Sequence, residues 1–205
     1  MDAKRVPPEQ DANEVAAGQI RELVRRLRRQ PEEEEPLFVF DAGYDPVRLQ
    51  RRLDGCHAQI LVRLHSGRTF YAEPELPPKQ PVGRPFRHGA RFSCKDSGTW
   101  PEPTAEHCAR SADYGGVRVR AWSSLHPKTR RAKERYSSES AAVVEGTVVL
   151  VEIGRLPSGE RRRRPKELWL WWHGSGKPDL DLLWKAYCRR FNVEHFVRFL
   201  KQKLR

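Results

Sequence analysis

The chain of 205 residues has few cysteines, a single methionine and no long apolar run. Its four cysteines, Cys56, Cys94, Cys108 and Cys188, include no CxxC pair, and no pair of histidines completes a zinc-ligand pattern. They read as reduced thiols in a cytosol, which excludes a disulfide scaffold and a structural zinc site. No stretch approaches the roughly 20 apolar residues that cross a bilayer, so no membrane is expected as a partner. The N-terminus is charged and proline-bearing and lacks the apolar segment of a secretory leader, so a cytoplasmic protein is expected. Acidic residues are the minority charge. The 27 Asp and Glu stand against 39 Lys and Arg, giving a net charge of +12, and there are six Trp. With a pI near 10.0 this balance points to a polyanionic partner, nucleic acid first.

What is present alternates between helix and strand signals. Asn13 is placed to cap a helix over 14–29, with Val15, Ile20, Leu23, Val24 and Leu27 as its apolar stripe. PEEEEP at 31–36 breaks the chain as a solvated acidic loop with no fixed geometry for a metal. Leu37 to Phe40 is a continuous apolar run, the pattern of a strand buried on both faces. Asp41 ends it, Gly43 permits a sharp exit, and Asp45 before Pro46 is a helix start running to about Leu53. AQILVRLHSGRTFYAE reads as strand, Ser-Gly turn and strand. Residues 74–116 read as an irregular insertion, VRVRAW at 117–122 as a strand, and HPKTRRAKERYSSES as a basic loop. VVEGTVVLVEI and KELWLWW flank LPSGERRRR as an antiparallel hairpin. Asp179 or Asp181 caps a last helix beginning near Leu182. The expected class is α/β, a core interrupted by a β-rich insertion, divided at 1–73, 74–178 and 179–205.

On a helical wheel Tyr187, Arg190, Glu194 and Lys201 share one edge, because their offsets of three, four and seven residues align. Leu182, Ala186, Val193, Val197, Leu200 and Leu204 form the neighbouring stripe expected to pack on a sheet. Two readings fit this edge: an i,i+4 ion pair between Arg190 and Glu194 on a solvated face, or a row of side chains that hold a substrate.

The spacing Tyr187, Arg190, Glu194, Lys201 is similar to the Y-R-E-K signature of DDE-type insertion-sequence transposases. FVFDAGYD at 38–45 resembles the segment around that family's second catalytic Asp and matches it to Asp41. TWPEP at 99–103, VRVRAW, and the stretch 169–202 also look like parts of a bacterial DDE superfamily endonuclease. The resemblance implies a partial RNase H-like core, a mixed sheet with helices, interrupted by a β-rich insertion before the helix that carries the Glu. It implies double-stranded DNA, transposon ends and target, as partner, and a nucleoid-associated protein. It admits a homodimer of the intact enzyme. It further implies carboxylate ligands for two divalent ions, Mg²⁺ or Mn²⁺, with Asp41 and Glu194 as catalytic and metal-binding residues. Two such ions about 3.5–4 Å apart activate the attacking oxygen and stabilise the leaving one, and hard oxygen donors suit Mg²⁺. Tyr187, Arg190 and Lys201 would hold phosphates of the transposon end.

One element of the pattern has no match. The first catalytic Asp belongs on a strand upstream of Asp41, and Asp2 and Asp11 follow no buried strand. A truncated transposase, inactive alone, is therefore expected. The alternative is a non-catalytic basic DNA-binding remnant, and a third reading is an RNA-binding scaffold. Other candidates have two readings each. Trp171 and Trp172, with Trp169 beside them, either stack on an unpaired base or fill the core. Arg162 and Arg163 in the run 161–164, with KTRRAKER at 128–135, either contact phosphates without sequence preference or are exposed charge. Asp45 has a sufficient role as a helix cap, and His173 is read as a bystander.

Overall fold

The computed structural model describes residues 6, 9–27, 35–74, 88–128, 143–155 and 161–190, with only the backbone given for 161–165. It is an open mixed sheet of eight strands with helices on both faces. Helix α1 covers Ala12–Leu27. Its cap is Asp11, not Asn13: Asp11 Oδ1 accepts the Asn13 N–H at 3.0 Å, and its carbonyl accepts from Glu14 and Val15. Asn13 is buried instead, and its Oδ1 accepts the Asp45 N–H at 2.9 Å. The buried stripe of α1 is Ala16, Ala17, Ile20 and Val24, while Leu23 and Leu27 of the expected stripe are exposed.

Strand β1 (Leu37–Phe40), helix α2 (Pro46–Arg52) and strand β2 (Gln59–Arg63) form a β-α-β unit with β1 parallel to β2. Asp45 caps α2 as its sequence context requires. Its Oδ1 accepts from Val47 and Arg48 at 3.0 Å, with Pro46 following in the first turn, where a missing N–H costs nothing. Strand β1 differs from expectation. All four residues are only partly buried, because β1 lies at the sheet margin with β2 as its one strand neighbour among the described residues.

The remaining strands are β3 (Thr69–Tyr71), β4 (Arg91–Ser93), β5 (Ala105–Ser111), β6 (Gly115–Pro127), β7 (Gly146–Arg155) and β8 (Arg161–His173). The order is β1-β2-β8-β7-β6-β3-β4, with β5 paired to β6. The stretch 74–116 is more regular than expected, since β5 pairs with β6 over seven residues. The β7–β8 hairpin is present, but β8 begins at Arg161, so the run 161–164 belongs to a strand and not to a loop. Helix α3, residues 180–190, is capped by Asp179, whose Oδ1 accepts the Leu182 N–H at 3.0 Å.

Two layers cover the sheet. On one face α3 buries Leu180, Leu183, Trp184, Tyr187 and Cys188 against Leu61, Val119, Val149, Val151, Leu170 and Trp172. Over the described turns this i, i+3, i+4, i+7 stripe takes the place of Leu182 and Ala186, with Leu182 exposed, while Val193, Val197, Leu200 and Leu204 of the expected stripe lie outside the described residues. On the other face α1 and α2 cover Ile60 and Val62, and β3 and β4 cover the aromatic end around Trp122, Trp169 and Trp171.

Glu35, the last acid of PEEEEP, ties the entrance of β1 to the β8–α3 turn. Its Oε1 accepts from the Ser175 hydroxyl at 2.7 Å and lies 3.0 Å from His57 Nδ1, and its Oε2 accepts the Ser175 N–H at 3.0 Å. Burial opposes the charge, yet the Ser175 bonds and His57 outweigh it and hold the carboxyl below its ordinary 4.5. A depressed carboxyl stabilises the fold above its unfolded value and loses that contribution as pH falls through the folded one. Wild type is therefore expected to exceed Glu35→Gln in urea stability at neutral pH, with the gap closing below pH 4.5; a pH-independent gap would show that the charge plays no part.

Candidate functional site

Parallel strands gather ligand-binding groups at their C-terminal ends, where the chain leaves the sheet. At the end of β1, Asp41 follows Phe40; at the matching end of β2, Arg63 follows Val62, the partner of Phe40. Both polar side chains thus stand at one margin of the sheet, directly after apolar runs that fix the strands.

Asp41 is held on two sides. Its Oδ1 accepts the Gly43 N–H at 2.9 Å, and its Oδ2 accepts from Arg190 Nη2 at 3.1 Å. Gly43 suits this turn, because a β-carbon there would come within 3.0 Å of Asp41 Oδ1. The Asp41 side chain is 47% exposed and that of Arg190 22%, so the pair is open to solvent on the carboxylate side. A half-exposed pair of this kind contributes little to stability, roughly 0–1 kcal/mol. Its value is positional, since it fixes the last described turn of α3 against the end of β1.

Tyr187, one turn earlier on α3, is fully buried rather than presented on an edge. Only its hydroxyl reaches the site, beside the guanidinium groups of Arg63 and Arg190. Burial raises the phenol above its ordinary value of 10.0 against the opposing effect of those two cations, so it stays a neutral hydroxyl at physiological pH. The described site is therefore two guanidinium groups beside a buried phenol, with one half-exposed carboxylate paired to Arg190. An arrangement with a net positive charge and planar donor forks suits a phosphate ester.

Sequence reasoning missed Arg63. The available signal was the sequence ILVRLH, in which a cation follows an apolar run as Asp41 follows LFVF. Which strands lie side by side was the missing information. Glu194 and Lys201 lie outside the described residues, as do residues 129–135 of the basic loop. Arg162 and Arg163 have a described backbone in β8 only.

The tryptophans are core residues, which corrects the stacking expectation. Trp171 is 0% and Trp172 4% exposed. Their indole N–H groups donate to Gln50 Oε1 at 3.1 Å and Gln59 Oε1 at 3.0 Å, so neither ring face is available to a base. His173 sits at the opposite end of β2 from Arg63, beside Ile60. Burial lowers its pKa against the pull of Glu35 and Asp54.

Asp41 supplies one hard anionic donor of the kind a divalent ion takes. Asp45 is committed to capping α2 and to Arg68 at 3.4 Å. Among the described residues no group of three His, Cys, Asp or Glu side chains stands together, so these residues alone do not complete a metal site.

With this geometry in place, comparison with known families gives a clear result. The family described as DDE superfamily endonuclease matches residues 1–129, more than half of the chain, and the chain belongs to that family. The match spans Asp41, Arg63 and the strands through β6 and ends before α3. No curated protein matches. The family is one of nucleases and transposase-like enzymes that act on DNA and generally use divalent metal ions. Among the described residues no helix is long and apolar enough to cross a membrane.

Proposed function

We propose that the chain acts at transposon-end DNA as a DDE-type transposase of the insertion-sequence kind, with its site where β1 and β2 meet α3. The observation that supports this best is the Arg190–Asp41 contact at 3.1 Å. It joins the FDAGYD segment to the Tyr187–Arg190 half of the second motif across 149 positions of sequence. Glu194 follows Arg190 by four residues in the sequence, and in this proposal Asp41 and Glu194 are joint ligands of Mg²⁺ or Mn²⁺. When bound, the metal supplies Lewis-acid polarisation of the phosphodiester.

The chain's own residues have distinct tasks in this reading. Arg63, Arg190 and Lys201 take phosphate oxygens on either side of the scissile bond. Tyr187 is a positioning residue: its ring is buried in the core under α3 and stands beside the two guanidinium groups. Arg162 and Arg163 contact the backbone further along the duplex without reading sequence. Residues 74–178 serve as the insertion between 1–73 and 179–205, with β7 and β8 hydrogen-bonded into the same sheet as β2.

Two carboxylates, not three, come from this chain in the proposal, so the chain alone is expected to bind duplex DNA without cutting it. The test is a supercoil-nicking assay in Mg²⁺ and Mn²⁺ beside a gel-shift titration at low salt. Retardation without nicking is the expected result. Robust nicking abolished by Asp41→Ala would overturn the inactivity and keep the endonuclease. Failure to retard DNA at low salt would overturn the whole assignment. The alternative, a non-catalytic basic DNA-binding remnant, is favoured by Arg190 occupying Asp41 Oδ2. Calorimetric titration with Mn²⁺ separates the two, since only the transposase reading expects heat that Asp41→Ala removes.

A further inference from the structure

We propose that Asn13, at the start of α1, is a positioning residue for Asp41: it anchors the far end of the turn that carries the carboxylate. This role rests on the assignment of Asp41 to the proposed DNA site. Asp41 begins a turn of the chain that ends at Asp45, the cap of α2. Within the turn the Gly43 N–H donates to Asp41 Oδ1 at 2.9 Å. The Tyr44 N–H lies 3.4 Å from the Asp41 carbonyl, beyond the usual range of about 2.7–3.2 Å. The turn therefore does little to close itself, and its outer end needs a fixed point.

A helix cap has an amide of its own to satisfy. In a capping box, a Glu or Gln at the third helical position reaches back to that N–H. The third position of α2 is Arg48, which carries donors only, so the Asp45 N–H has no acceptor of that kind. Asn13 supplies one from 32 positions upstream, its Oδ1 accepting the Asp45 N–H at 2.9 Å. Asp11 caps α1, which releases the Asn13 side chain for this contact.

The Asn13 amide is itself held in one orientation. Its Nδ2 donates to Asp11 Oδ1 at 2.7 Å, and its backbone N–H donates to the same oxygen at 3.0 Å. Asp11 Oδ2 accepts from Arg48 Nη1 at 3.0 Å. The Asn13 bonds, with a smaller part from Arg48, hold the Asp11 carboxyl below its ordinary 3.8. The circuit Asp45, Asn13, Asp11, Arg48 thus closes on α2 and does across two segments what a capping box does within one. Asn13 is buried, so its bond to Asp45 is shielded from competing water. Pairing of β1 with β2 fixes the entry to the turn, and Asn13 fixes the exit. Asp41, half-exposed, takes its direction toward Arg190 from these two points.

Amide hydrogen exchange of the full chain, followed by NMR, tests this. Asn13→Ala is expected to speed exchange at both Asp45 and Gly43 by about tenfold, the factor for one ordinary hydrogen bond. Adding Arg48→Gln to Asn13→Ala is expected to return both amides toward wild type, because the new amide oxygen completes a local capping box; a loss of packing would not be repaired this way. By fluorescence anisotropy, Asn13→Ala is expected to raise duplex affinity by about two- to fivefold, the range for loosening a half-exposed ion pair. It is expected to add nothing in an Asp41→Asn background. If Asn13→Ala fails to fold, Arg48→Met decides: it releases Asp11 at an exposed position and should speed the same two amides. Faster exchange at Asp45 alone, a failed rescue, or an equal gain in affinity in both backgrounds overturns the proposal. Faster exchange at Gly43 with no DNA binding by any variant overturns the DNA site and keeps the positioning of Asp41.

Discussion

Trp171→Ala is expected to lower the unfolding free energy by about 3–5 kcal/mol, the range for removing a fully buried large aromatic. For a chain of this length that corresponds to a fall in Tm of roughly 6–20 °C. Trp171 has no exposed surface, stacks on Phe70 with centroids 5.3 Å apart, and donates to Gln50, which in turn donates to the Glu145 carbonyl at 2.7 Å. The ring also occupies the space where Gly146 has no side chain, since a β-carbon there would fall inside the indole. The void left by alanine cannot collapse easily, because β7 and β2 hold β8 on both sides. Urea unfolding followed by circular dichroism measures the loss. Trp171→Phe should recover most of it, and an alanine variant as stable as wild type would contradict the packing described.

The second large effect concerns DNA. Arg63→Ala combined with Arg190→Ala is expected to weaken duplex binding by roughly 10- to 100-fold at low salt, the loss of charge-assisted contacts worth about 1.5–3 kcal/mol. The slope of log affinity against log salt should fall by about two, one for each phosphate contact removed. Asp41→Asn should act in the opposite sense. It frees Arg190 from its carboxylate and removes the negative charge nearest the phosphate, so affinity is expected to rise while the slope stays the same or steepens. Fluorescence anisotropy at several salt concentrations gives both quantities. An unchanged slope in the double variant would show that these guanidinium groups do not meet the DNA backbone.

Local chemistry explains which parts of this structure could be read in advance. Asp45-Pro46 named its own cap, and the β7–β8 hairpin followed from two apolar runs around a turn. Both depend on contacts close in sequence. The errors fall where a distant partner decides. Leu37 to Phe40 reads as a central strand because it is apolar throughout, yet its burial depends on how many neighbours the sheet provides. The apolar stripe of α3 shifted by one position because Trp184 and Tyr187 carry polar atoms but bury large rings against β8. The contact that joins Asp41 to Arg190 is not visible in either segment alone. It was reachable only through the resemblance that placed both motifs in one site. Arg63 had no such guide, since its role arises from lying next to β1.

The position of β2 has a consequence for how the molecule is made. Its second neighbour, β8, begins at Arg161, about a hundred residues later. A ribosome adding about 5–20 residues per second leaves β1 and β2 waiting roughly 5–20 s before that neighbour emerges. During this interval an apolar parallel pair stands without its central partner, the kind of species that nascent-chain chaperones hold. The margin bearing Asp41 and Arg63 thus acquires its shape only after β8 and α3 have been made.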